Sequence, residues 1–156
     1  MQKISPFLWF DANAEEAMNL YLSVFKDSKV VRLARMPQGG PGPEGTLLVA
    51  TIRLDGQEIT LMNGGPGHPL TDAFSLTISC ITQDEVDYYW EKLLAGGGQT
   101  LACGWLKDRF GLHWQVTPVV LTELLADTDR AKAGRVMQAM MKMVKLDIAA
   151  LEAAAG

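Results

Sequence analysis

Phe74-Ser-Leu-Thr-Ile-Ser-Cys80-Ile-Thr82-Gln-Asp-Glu85-Val86 joins a short apolar run to a helix start, and Ile4-Ser-Pro-Phe-Leu-Trp-Phe10-Asp-Ala-Asn13-Ala-Glu-Glu16-Ala17 does the same near the beginning of the chain. Thr82 and Glu85 have the spacing of a capping box, in which the hydroxyl accepts a backbone N–H three residues on while the carboxylate reaches back. Asn13 and Glu16 have a looser form of it, Asn13 accepting the Glu16 backbone N–H. Beyond each cap, apolar residues recur at the same offsets: Ala17, Leu20, Tyr21 and Val24 in the first helix, Val86, Tyr89, Trp90 and Leu93 in the second. One helical face is therefore written twice in the same register.

Outward from these two helices the pattern shifts toward period two. Val30 to Met36 is a candidate strand, followed by a Pro/Gly-rich loop from Pro37 to Gly45. Thr46 to Leu54 and Glu58 to Asn63 then flank Asp55-Gly56, the signature of a two-residue hairpin. In the second half Gly96-Gly-Gly98 ends the helix, and Gln99 to Lys107 and Leu112 to Pro118 flank the turn Asp108-Arg-Phe-Gly111. Each half reads β-α-β-β-β. The expected organisation is one α+β domain: module one over residues 1–63, a turn-rich crossover over 64–72, module two over 73–118, and a C-terminal helical arm over 119–156. In the arm Leu121 to Ala126 is a short apolar segment, and Asp127-Thr-Asp129 caps a helix running to about Ala154. Met137, Met140, Met141, Val144, Ile148 and Leu151 form a stripe along that helix, suited to packing within the chain or on a second subunit.

Composition narrows the classes. The chain has 156 residues, 48% hydrophobic and 21% charged, with net charge -4, as expected of a globular domain able to bury its own core. Mild acidity without a basic run argues against gripping a phosphate backbone, so nucleic acid is not an expected partner. No apolar stretch reaches the roughly 18 residues of a membrane span, and the N-terminus lacks a signal-peptide pattern; the expected location is the cytoplasm. Cys80 and Cys103 are read as reduced thiols.

Particular strings carry a family resemblance. Phe7-Leu-Trp-Phe-Asp11 with Ala14-Glu-Glu-Ala17, Asn63-Gly-Gly-Pro66, Cys103-Gly-Trp-Leu-Lys-Asp108 and Phe110-Gly-Leu-His-Trp-Gln115 resemble the PhnB-like family, also labelled 3-demethylubiquinone-9 3-methyltransferase-like. That family falls within the vicinal oxygen chelate superfamily of glyoxalase I, bleomycin-resistance proteins and extradiol dioxygenases. The likeness runs from about Ile4 to Ala154. It implies tandem βαβββ modules curling around a cavity, and a homodimer. The methyltransferase label conflicts with the residues: a Gly-rich turn at a helix N-terminus is expected for such a cofactor, whereas Gly39 to Gly45 and Gly64 to Gly67 carry prolines and precede strands.

The resemblance also implies a divalent metal held by His and Glu side chains from the first strand of each module and the last strand of the domain. Here those positions fall on Ser5 or Pro6, on Ala73 or Phe74, and on Gln115, a poor donor set. No cofactor is expected, with a divalent metal left open through a His68, His113 and Glu58 cluster that no spacing supports. His113 is the candidate for acid–base chemistry and, by period two, shares a face with Gln115; the plainer reading is a polar residue at a cavity rim. His68, in the crossover, is exposed or a gate. Cys103 is a structural thiol or a nucleophile. Asp108 caps its turn or pairs with Arg109. Of the aromatic side chains Phe7, Trp9, Phe10, Trp105 and Trp114, some pack on helices and some line a pocket. Ser75, Thr77 and Ser79 alternate with apolar residues, so the hydroxyls face the cavity if the apolar set faces the helix, and solvent otherwise.

The candidate ligand-binding set is Trp9, Asn63, Ser75, Trp105, His113 and Gln115. It suggests a cavity for a small, largely apolar or aromatic molecule. Three readings follow: a metal-free binding protein of the bleomycin-resistance type; a glyoxalase- or dioxygenase-type enzyme with an unrecognised metal site or metal-free chemistry around His113; and an interaction protein whose cavity is filled by its own side chains.

Overall fold

The computed structural model describes residues 2–156, and the chain divides into two compact units between Leu70 and Thr71. In the first, β1 (Phe7–Phe10) leads to α1 (Ala14–Val24), followed by β2 (Ser28–Arg35), β3 (Leu47–Leu54) and β4 (Gln57–Asn63). The sheet order is β1-β4-β3-β2, with β1 parallel to β4 and the other pairs antiparallel. Parallel partners cannot be joined by a hairpin, which is why a helix and two strands intervene. Period two sorts the side chains: Leu8, Phe10, Ala50, Ile52, Leu54, Ile59 and Leu61 are buried with Ala17, Met18, Tyr21 and Val24 of α1. Asp55 and Gly56 both have positive φ, 46° and 86°, the two-residue hairpin that the sequence predicts.

Two local expectations change here. Asn13 makes no side-chain cap. The first N–H of α1, that of Ala14, donates to Asn63 Oδ1 at 2.8 Å instead, because β4 ends on the helix-facing side of the sheet, where an amide reaches α1. The first strand starts at Phe7 rather than Ile4.

The second unit repeats the pattern with β5 (Ser75–Cys80), α2 (Gln83–Leu94), β6 (Gln99–Thr100), β7 (Trp105–Lys107) and β8 (His113–Pro118), in the order β5-β8-β7-β6 with β5 parallel to β8. The capping box forms in a shifted version: Thr82 Oγ1 accepts from Glu85 N at 3.2 Å, and the Glu85 carboxylate reaches back one residue past the cap to accept from Ile81 N at 2.6 Å. Ile78, Cys80, Leu106, Trp114 and Val116 are buried with Val86 and Leu93 of α2, so the apolar set faces the helix and Ser75, Thr77 and Ser79 take the opposite, open face.

The expected strand Gln99 to Lys107 is broken. Cys103 and Gly104 have φ of 61° and 83°, a left-handed pair that no strand accommodates. Their N–H groups leave the sheet and donate to Met143 O (2.9 Å) and Val144 O (2.7 Å). The arm is likewise broken into α3 (Val119–Leu125), α4 (Arg130–Met141) and α5 (Ile148–Ala155) rather than ending in one helix to Ala154. Asp129 caps α4 as expected, and Asp147 restarts the helix by accepting from Ala150 N at 2.9 Å. The intervening segment is the one that docks on Cys103 and Gly104. Leu121, Val136, Leu146, Leu151 and Ala155 form the arm's own core, with Met140 and Met143 packed against it. The methionine stripe therefore splits: Met137, Met141 and Val144 stay exposed at 41%, 64% and 50%.

Candidate functional site

The open face of the second sheet is assembled by strand register. β8 lies between β5 and β7, so Ser75, His113 and Lys107 form one row across the sheet, and Thr77, Gln115 and Trp105 the next. Gln115 Nε2 donates to Ser75 Oγ at 2.9 Å, linking the rows. A cavity of about 500 Å³ opens over this face. Its sheet wall is Trp105, Gln115 and Thr117, flanked by Cys103 just before β7, while α3 contributes Leu121, Thr122 and Leu125 with Ala126 at its C-cap, and α4 contributes Met140. No ionisable side chain other than the Cys103 thiol lines it. Such a lining can take an indole-sized ring against Trp105 and supply hydrogen bonds from one amide and two hydroxyls.

His113 shares this face with Gln115, as its spacing predicts. It is only 8% exposed, and its Nδ1 is buried without a hydrogen-bond partner among the described residues. Leaving such an atom unpaired costs about 1–3 kcal/mol, and unpaired buried groups are uncommon enough to suggest a functional role. The two thiols differ. Burial pushes Cys80 up to about 12, so it stays protonated. Cys103 is half-buried on the cavity wall, more accessible than the buried structural thiol of the plainer sequence reading.

The remaining candidates are placed elsewhere. Asn63 has a structural position: besides capping α1, its Nδ2 donates to Leu47 O at 3.0 Å. Trp9 lies on the open face of the first sheet, where its Nε1 donates to Gly65 O at 2.9 Å and its ring sits 4.2 Å from that of exposed His68. A Cβ at Gly64 would collide with that indole, so the loop passes closely over Trp9. On the same face, toward the Asp55-Gly56 hairpin, Thr51 and Thr60 share a hydrogen bond at 2.9 Å and Arg53 pairs with Glu58 at 2.7 Å, which holds the Glu58 carboxyl below the usual carboxylate range. Asp108 caps its turn, accepting from the N–H groups of Phe110 and Leu112 and from Trp114 Nε1 at 2.9, 3.1 and 2.9 Å. Arg109 donates to Ala95 O at 3.1 Å and lies over the Phe110 ring.

Sequence reasoning missed Thr117, Leu121, Thr122, Leu125, Ala126 and Met140. Period two from Trp105 and Gln115 reaches Thr117. Nothing in the spacing brings the arm to the sheet face, because that depends on the break after Met141 and the docking at Cys103 and Gly104.

The residues do not fit a divalent metal. Gln115 stands where the resemblance puts a glutamate and its amide is engaged with Ser75; Ser5 is exposed. No group of three or more His, Cys, Asp or Glu side chains among the described residues is placed to hold a metal ion.

Tandem βαβββ modules followed by a helical arm define an α+β protein of the glyoxalase and bleomycin-resistance class. The family model described as 3-demethylubiquinone-9 3-methyltransferase matches residues 2–117. The match ends before α3, short of the Ile4 to Ala154 span of the sequence resemblance. A solved structure described as a putative 3-demethylubiquinone-9 3-methyltransferase, PhnB protein, from Bacillus cereus has 39% identity and a TM-score of 0.69, the match covering 76% of this chain and all of that one. The chain belongs to this PhnB-like family of the vicinal oxygen chelate superfamily. Protein PA1353 from Pseudomonas aeruginosa, at 19% identity over 76% of this chain and 98% of its own, has a TM-score of 0.62. The fosfomycin resistance protein FosX from Listeria monocytogenes, at 17% identity over 81% of this chain and 98% of its own, has a TM-score of 0.57. These two share the fold. No curated protein matches the chain, and no described helix is long and apolar enough to cross a membrane.

Proposed function

We propose that the protein binds a small, largely apolar or aromatic molecule in the cavity over the second sheet, without a metal. The observation that carries this reading is the lining: an indole, two leucines and a methionine surround a few uncharged polar groups. Small-molecule sites share this makeup and range over about 300–1,000 Å³. A ring lies against Trp105 while Gln115 and the threonines orient its polar substituent. Methyl transfer has no support in the loops: Gly39 to Gly45 lies between β2 and β3, and Gly64 to Gly67 follows β4 without entering a helix. In the same reading the protein is cytoplasmic and homodimeric, with exposed Met137, Met141 and Val144 available to a second copy.

Thiol labelling tests the binding site. Cys80 is silent, so N-ethylmaleimide reports on Cys103 alone, and saturating 4-propylphenol is expected to slow its labelling. Trp105→Ala is expected to weaken binding about tenfold, the loss of roughly one stacking contact. Phenols and indoles that neither raise the melting temperature nor protect Cys103 would end the reading, since a ligand of the folded state must stabilise it.

The unpartnered Nδ1 of His113, which lies one row away on the same sheet face rather than in the cavity lining, favours one second reading, acid–base chemistry on a molecule that reaches from the cavity over the Ser75, His113 and Lys107 row. On that reading His113→Ala abolishes turnover and leaves ligand affinity nearly intact; equal loss of both removes the catalytic role.

A further inference from the structure

The arm that lines the cavity is pinned in place at several points. Residues 142–147 are held by the Cys103 and Gly104 N–H groups, and Leu146, 1% exposed, packs against Gly104 so closely that a Cβ there would lie 2.7 Å from Leu146 Cδ1. Gln83 on α2 clamps the same segment with both ends of its amide: Nε2 donates to Leu146 O at 3.1 Å, and Oε1 accepts from Ile148 N at 2.9 Å. Lys145 pairs with Asp87 at 2.8 Å. These contacts fix the end of α4, where Met140 both packs on the arm's core and faces the cavity. The sheet wall falls within the residues that match the family model, and the arm wall falls outside them.

We infer that the arm is the specificity wall of the site: Met140 and Leu125 set how long an apolar substituent the ligand can carry, which makes the ligand class a ring with a polar head and a short alkyl tail. This rests on the binding reading above. The ring and its hydroxyl lie against Trp105, Gln115 and Thr117, leaving the tail to run along Leu121, Leu125 and Met140. Unbranched, polarisable methionine yields to a range of tail shapes without leaving a void. The same side chain limits tail length, because α4 cannot retreat while its C-terminal end is clamped.

The experiment is calorimetric titration of the full chain with the 4-alkylphenols from 4-methylphenol to 4-octylphenol. For the parent protein each methylene that still fits tightens binding about fourfold, up to a length beyond which affinity falls. Met140→Ala is expected to move that maximum to longer tails and Met140→Trp to shorter ones; Leu125→Ala provides an independent lengthening variant. If the parent binds the series but its length profile is the same in all three variants, the arm is not the specificity wall while the binding reading stands. If the parent binds no member of the series, the binding reading and this inference fall together.

Discussion

Gly104 is where a single residue decides most. Its φ of 83° is strained for any side chain, and an added Cβ would meet both Leu146 Cδ1 and, at 3.0 Å, Val116 O. Gly104→Ala is expected to destabilise the protein by about 1–3 kcal/mol and Leu146→Ala by about 2–5 kcal/mol, both measured by urea unfolding. Asn63→Ala removes the cap of α1 from a distance and is expected to cost about 0.5–2 kcal/mol, whereas Asn13→Ala is expected to be nearly neutral; equal effects would contradict the observed cap. At this scale the sequence is an uneven guide. Thr82 and Glu85 could be read as a capping box because donor and acceptor are neighbours in the chain. The cap of Ala14 could not, since its acceptor belongs to a strand far along the sequence.

The element that most needs the rest of the unit is the arm. Capping by Asp129 was readable from local residues, but the break between α4 and α5 was not, because an uninterrupted apolar stripe says nothing of a docking partner across the unit. Gln83→Ala removes both side-chain bonds to the docking segment. It is expected to raise amide hydrogen exchange over residues 142–148 while leaving β5 and β8 protected. The Lys145 ammonium, aided by Gln83, holds the Asp87 carboxyl below the usual carboxylate range. A lowered folded value means that the stabilisation is present at neutral pH and is lost as pH falls through that lowered value. Asp87→Asn is therefore expected to melt slightly below the parent at pH 7, by less than about 1 kcal/mol for so exposed a pair. The two should melt together in acid well below the usual carboxylate range; a difference that persists there would mean that the ion pair is not its source.

For the whole molecule, the repeat was the strongest signal in the chain, since two helices with the same apolar register and two hairpins specify two sheets whatever their surroundings. The proposed dimer belongs to this scale. Sedimentation equilibrium is expected to return twice the chain mass, and Met137→Glu with Met141→Glu to return the monomer. A double variant that sediments like the parent would place the interface elsewhere.

The positions of α1, α2, β3, β4 and β8, the Asp55-Gly56 turn and the shared face of His113 and Gln115 followed from the sequence by itself, because local periodicity and turn stereochemistry set them over a few residues. Which strand face lies open, the break at Cys103 and Gly104, the arm's fold back onto the sheet and the isolation of His113 Nδ1 were decided only by tertiary structure. Each depends on residues distant in the chain meeting: burial against α2 selects the sheet face, and two N–H groups turned out of the sheet find carbonyls only where the arm returns.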